Sequence, residues 1–200
     1  MTVLSAGLRV LVALPLLLIQ IIWMMSHVSP AAKAAPVVLF IMALWRAPVA
    51  LVILGVLAPL AGMLGLWTAL PFQGPRLFEQ LAIAVVLAVL MRSVSWASSR
   101  IAVPGLVFAV IALTSAITTM PAWLMMHGIE PTLATVWAAL LQGDIFAITS
   151  AWQPAHAAML ISLGVLVALV TESSVRKESE NARWVILGLA AGGTVAALLN

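Results

Sequence analysis

Apolar runs of about twenty residues recur along the whole of this 200-residue chain, separated by short polar turns, and neither half is polar. A helix of that length spans the hydrocarbon of a bilayer. Because lipid offers no hydrogen-bond partner, each such segment must satisfy its peptide groups internally. The chain therefore reads as all-α: a polytopic transmembrane helical bundle forming one membrane domain over residues 1–200. Hydrophobic residues make up 64% and charged residues 8%, against roughly half and a quarter in soluble domains. With no cysteine, a disulfide framework, a thiolate metal site and a thiol nucleophile are all excluded.

Seven spans are expected: Leu8 to Met25, Pro30 to Trp45, Pro48 to Leu70, Leu77 to Val94, Ile101 to Met126, Pro154 to Thr171, and Arg183 to Asn200. The second is the weakest, since only Val37 to Leu44 is uninterrupted, and a re-entrant hairpin also fits it. The basic residues orient the set. With a cytoplasmic N-terminus, Arg9, Arg46, Arg92, Arg100, Arg176, Lys177 and Arg183 fall inside and only Lys33 and Arg76 outside, the bias that the positive-inside rule requires. The pI of 10.7 is then a signal of topology, and the bases lack the clustering with stacking aromatics that nucleic acid would need. Tryptophans at span ends agree with headgroup-level placement: Trp23, Trp67, Trp123 and Trp152 outside, Trp45, Trp96 and Trp184 inside. A competing reading takes Arg9, the run Val10 to Met25 and Ala32-Lys33-Ala34 as a cleavable signal peptide, although the run is slightly long for one.

"LWRAPVAL" reads as a tight inner turn, with Arg46 facing the anionic leaflet and Pro48 opening a helix, where its missing N–H removes no bond. The second and third helices should then pack as an antiparallel hairpin. Ala58, Gly62 and Gly65, and the G-x-x-x-G of Gly188 and Gly192, allow close helix approach within the bundle. Residues 172–183 form a hydrophilic inner loop, in which Glu172 and Arg176 can pair on an extended helix end.

The outer side collects the polar chemistry: His27, His127 and His156 with Arg76, Glu79, Glu130 and Asp144. The outer loop, 127–153, contains no lysine or arginine. Within it, Pro131 opens a short helix over 131–142 whose Leu133, Val136, Trp137, Leu140 and Leu141 form one apolar stripe. That pattern suits a helix lying on the outer leaflet, with Trp137 and Trp152 as interfacial anchors. Its polar face lacks the bases of an autonomous membrane binder, so its neighbours must hold it. No H-x-x-x-H or H-E-x-x-H spacing places two histidines on one face, so no metal site or other cofactor is expected and the histidines read as interfacial. Arg76 and Glu79, three apart at the mouth of the fourth span, form the best-defined ionisable pair. Arg76 would meet an anionic group such as a lipid phosphate and Glu79 orient it or act as a base, with His127 and His156 on the same outer surface. No span carries a charge near its middle, Gln20 being the most polar deep residue, which argues against an ion-coupled transporter. There is likewise no Walker loop and no G-x-S-x-G elbow.

Short early hairpins of the "LWRAPVAL" kind, followed by single helices of the "LFEQLAIAVVLAVLMRS" kind, resemble the N-terminal half of bacterial O-antigen ligase and polymerase-type membrane proteins. The resemblance covers most of the chain. It implies a many-helix inner-membrane protein that binds a polyprenyl-linked glycan. In that family the transfer residues lie in a large outer loop of the second half, which has no counterpart here, so no catalytic residue carries over and the chain corresponds to the non-catalytic portion. The alternative from a different class is a structural or accessory subunit that packs against other membrane-protein subunits.

Overall fold

The computed structural model describes residues 2–25, 29–60, 74–92, 102–142, 151–177 and 180–199, and among these every regular element is an α-helix. The helices are α1 (Thr2–Met25), α2 (Pro30–Leu57), α3 (Gly74–Met91), α4 (Ala102–Met126), α5 (Leu133–Gln142), α6 (Gln153–Lys177) and α7 (Glu180–Leu199). Three helical stretches, Pro30–Leu57, Ala102–Met126 and Gln153–Arg176, are long and apolar enough to cross a membrane, and Arg9–Met25 and Arg183–Ala197 are shorter apolar ones. Gly62, Gly65 and Trp67 of the expected third span, together with His27, Trp96, Arg100, Gly143 and Asp144, lie outside the described residues.

α3 is the centre. Every residue from Leu81 to Leu90 is buried, and α1, α2 and α6 pack around it. α2 is entered through Ser29, whose hydroxyl accepts from Ala32 N at 3.3 Å, with Pro30 in the first turn, the position where a proline sacrifices no bond. The Trp23 indole donates to the Ala32 carbonyl at 3.4 Å. That residue is 5% exposed and fastens α1 to the first turn of α2.

Where two spans were expected, at 30–45 and 48–70, the helical run from Pro30 to Leu57 is broken at one residue, Arg46, with φ −137 and ψ 85. The cause is Pro48, which cannot donate to Leu44 O and whose ring crowds that carbonyl. Arg92, at the end of α3, donates over long distances of 3.5 Å to Ala43 O and 3.4 Å to Trp45 O beside the break. The chain reverses there. Trp45 lies past the end of α3, whereas Ala58 shares a cavity wall with Phe78 and Glu79, roughly 20 Å back along that helix at 1.5 Å per residue. α2 is thus two arms, 30–45 and 47–57.

The second arm runs parallel to α7, because Val52 meets Gly188 and Val56 meets Gly192 at the same four-residue step. A Cβ on Gly188 would lie 2.8 Å from Val52 O, and one on Gly192 closer still to Val56 O. The G-x-x-x-G spacing is therefore consumed inside the chain, where only hydrogen lets the two backbones touch. α4 packs antiparallel on α6, with Gly105 against Val165 near one end and Leu124 clustered with Trp152 near the other. Most of the rest of α4 faces outward: Val103, Val107, Phe108, Ile111 and Ile117 are all more than half exposed.

Two loop expectations shift. The hydrophilic segment 172–183 contains the last two turns of α6, which continues to Lys177, and Arg176 holds Glu172 at 2.7 Å on that extension. The helix expected in the outer loop begins at Leu133, two residues beyond Pro131, because Thr132 caps it: its hydroxyl accepts from Thr135 N at 3.2 Å.

Candidate functional site: a buried carboxylate–imidazole pair at the head of an apolar cleft

The polar residues of α3, Arg76, Glu79 and Gln80, all fall in its first two turns. Adjacent residues on a helix diverge by about 100°, so Glu79 and Gln80 look toward different neighbours. Glu79 turns to α6, where its Oε1 lies 2.9 Å from His156 Nε2, with both side chains 5% exposed. Gln80 marks the other side, where the Gln20 amide of α1 donates to its main-chain carbonyl at 2.8 Å. Glu79 Oε2 and Gln80 Oε1 are buried with no hydrogen-bond partner, each costing about 1–3 kcal/mol where no donor arrives.

His156 is positioned from the opposite direction. It sits in the first turn of α6, its N–H bonded to Trp152 O at 3.0 Å. Trp152 is buried with Leu124 and Ala139, which joins the ends of α4, α5 and α6. The short helix α5 thereby reaches the pair: Ala139 packs with Trp152, and Trp152 begins the turn that carries His156.

Glu79 also lines a cleft of about 580 Å³ between the second arm of α2, α3, α6 and α7, within the size range of small-molecule sites. Leu54, Leu163, Val167 and Leu189 furnish its apolar walls, and Thr171 and Glu172 lie toward its other end. Leu160 and Leu189, on facing helices of the rim, are 41% and 47% exposed, so the cleft opens sideways onto the apolar surface of the bundle. A Cβ added at Gly164 would meet nothing within 4 Å. That glycine widens the cleft.

Of the residues singled out from sequence, Arg76 is half-buried one turn before Glu79. His156, expected at a wet interface, is 4% exposed. The correction has a physical cause: it lies in the first turn of α6, turned toward α3, and Glu79 offers the polar contact that makes burial tolerable. His127 stays exposed at the end of α4, its Nδ1 2.8 Å from Trp123 O. Gly128, at φ 72, ends that helix in a left-handed cap, with Ile129 N bonded to Leu124 O and Gly128 N to Met125 O. Trp152 is buried, whereas Trp137 is 56% exposed, alongside Leu133 at 90% and Val136 at 38%. These three residues of the apolar stripe of α5 thus point away from the chain. Among the described residues no three His, Asp or Glu converge as a metal site would need.

Sequence reasoning missed the pairing of Glu79 with His156. The available signal was the placement of each, in the first turns of an apolar stretch rather than in a loop, where an ionisable group needs a partner. The hydroxyls nearby are committed elsewhere: Thr171 donates to Val167 O and Ser162 to Ala158 O, both at 2.8 Å. Among the described residues the cleft thus sets one buried polar pair against apolar walls. Comparison with known proteins finds no matching family model, no matching curated protein and no matching solved structure.

Proposed function

We propose that the chain is a multi-pass protein of the bacterial inner membrane, with a cytoplasmic N-terminus and about seven crossings, that binds the hydrocarbon of a membrane lipid in the cleft headed by Glu79 and His156. The observation that carries this reading is the cleft itself: apolar walls, a sideways opening onto the apolar surface of the bundle and one buried polar end. The distribution of basic residues supports the threading, as do helix directions that alternate in its sense, the second arm of α2 running parallel to α7 and α4 antiparallel to α6. The resemblance to O-antigen ligase and polymerase-type proteins supplies the lipid class, a polyprenyl chain, and makes this a module without the transfer chemistry. Arg76, one turn before Glu79, then meets the anionic group of a glycan-linked form.

The test is to fill the cleft. Gly164→Phe places a ring in open space and replaces glycine by a better helix former, so the variant folds while co-purified lipid, read by native mass spectrometry, falls several-fold. Unchanged lipid content would sink the reading. Arg76→Ala lowers the anionic lipids selectively if the glycan-linked form is the ligand.

The second reading, a structural or accessory subunit, is favoured by the exposed stripe of Leu133, Val136 and Trp137 on α5, which suits a contact surface for another subunit. It predicts a stable complex in mild detergent that Trp137→Ala disrupts and Gly164→Phe leaves intact.

A further inference from the structure

The corner of α2 brings two arginines together. Because Pro48 has no N–H and Arg46 leaves helical φ/ψ, carbonyls in the last turn of the first arm lose the donors of an intact helix. Arg92 replaces two of them from the far end of α3, its Nη1 lying 3.4 Å from Trp45 O and 3.5 Å from Ala43 O. That anchorage holds the guanidinium at the corner and occupies one of its nitrogens. The group carries five N–H donors in a fixed fork, and among the described residues its Nη2 and Nε meet no protein acceptor. Arg46 follows Trp45 directly. Across a planar trans peptide a carbonyl oxygen lies about 3 Å from the next Cα, so Arg46 Cα comes within about 6 Å of Arg92 Nη1. Both side chains are exposed, and among the described residues neither pairs with a carboxylate. Two guanidinium groups so close repel each other, and an anion between them turns that repulsion into two charge-assisted contacts.

The surroundings say which anion. Val52 meets Gly188 and Val56 meets Gly192, a register that puts Trp184 at the level of Pro48. Trp184 and Trp45 are both more than half exposed, so two outward indoles mark this end of the bundle, the arrangement that amphipathic rings take at headgroup level. Along the first arm, Val38, Ile41 and Trp45 follow helical spacing and are also more than half exposed, an apolar lane leading to the corner. We infer that the Arg46–Arg92 corner binds the phosphate of an anionic phospholipid, Arg92 presenting its remaining donors, Arg46 a second charge, and an acyl chain lying along Val38, Ile41 and Trp45. A zwitterionic lipid gains less, because its own ammonium already answers its phosphate. Neither arginine lines the cleft headed by Glu79, so this site rests on the chain crossing a membrane and not on the cleft.

The experiment uses the full chain in mild detergent, with binding read by native mass spectrometry. The probes are dioleoyl phosphatidylglycerol, dioleoyl phosphatidylethanolamine, which shares its acyl chains but carries no net charge, and inorganic phosphate as competitor. Phosphatidylglycerol is expected to bind the unmodified chain about tenfold more tightly than phosphatidylethanolamine. Arg46→Gln removes an exposed side chain and should weaken phosphatidylglycerol about fivefold, the effect of one arginine near a headgroup, while leaving phosphatidylethanolamine unchanged. Arg92→Lys keeps the charge and loses the fork, and should weaken phosphatidylglycerol as well. Arg183, at the level of Ala47 by the same register, is the control: Arg183→Gln should leave both lipids as they were. Equal affinity for the two lipids in the unmodified chain would overturn the site, and so would a loss in Arg183→Gln as large as in Arg46→Gln, which would mean a diffuse charge at that end of the bundle. Displacement of phosphatidylglycerol by inorganic phosphate at equal concentration would assign the corner to a free anion and overturn the lipid. Gly164→Phe should leave phosphatidylglycerol binding intact; its loss there would move that lipid into the cleft and overturn the corner, whereas failure of the cleft reading leaves the corner standing.

Discussion

α3 and α4 are apolar helices of similar make-up, yet α3 is buried from Leu81 to Leu90 without interruption while α4 exposes Val103, Phe108, Ile111 and Ile117. In water such a contrast would be written into the sequence as a stripe, but lipid and protein are comparably apolar neighbours and either will cover a leucine. What separates the two helices is the fate of their polar groups. The hydroxyls of Thr118 and Thr119 in α4 donate to carbonyls of their own helix, to Ser115 O at 3.0 and 2.8 Å, and so ask nothing of a partner. Glu79 in α3 cannot be satisfied in that way, because a carboxylate needs donors and an intact helix has none to spare beyond its first turn. The long-range contact to His156 follows, and with it the central place of α3.

The sharpest way to break this contrast is to strip one partner from each helix. Glu79→Ala leaves His156 buried alone and should cost about 3–5 kcal/mol, seen as a large fall in melting temperature in detergent, whereas Thr118→Ala on the outward-facing α4 should cost no more than about 0.5 kcal/mol. Removing both Glu79 and His156 should recover part of the loss, and a double variant no better than Glu79→Ala would show that the pair is not the source of the effect.

Packing gives the next effect. Ala88, fully buried in α3, has no space for extra methylenes, so Ala88→Leu should cost about 1–3 kcal/mol. Ile117→Ala on α4 removes a side chain 73% exposed and should stay within about 0.5 kcal/mol. Equal losses from these two changes would mean that another helix or chain covers α4. The smallest effect belongs to the local ion pair: Arg176→Ala removes the contact to Glu172, four residues earlier, at a cost of about 0.2–0.5 kcal/mol that shrinks as salt is raised.

Much of the fold was legible because spans announce themselves by length and hydropathy. The stretches read as the fifth, sixth and seventh spans correspond to α4, α6 and α7 to within a few residues at most ends, the largest departure being the two turns by which α6 outruns Thr171. The corner at Arg46 was legible too, since Pro48 forbids a straight helix through it, although the break occupies a single residue. The site was not. Arg76 and Glu79 stood out as a pair because they are three apart, and nothing in one dimension ties Glu79 to a histidine 77 positions away.

The sequence by itself determined that the chain is helical, that its segments are apolar enough for lipid, and where proline and glycine bend or end them, because each of these follows from backbone hydrogen bonding and local sterics. Only the tertiary structure decided which helix is central, which glycines lie under a neighbouring backbone and which carboxylate meets which imidazole. Those outcomes depend on which faces meet. In a chain whose faces are nearly all apolar, only the few polar groups and the absent side chains of Gly188 and Gly192 discriminate among the arrangements that hydropathy permits.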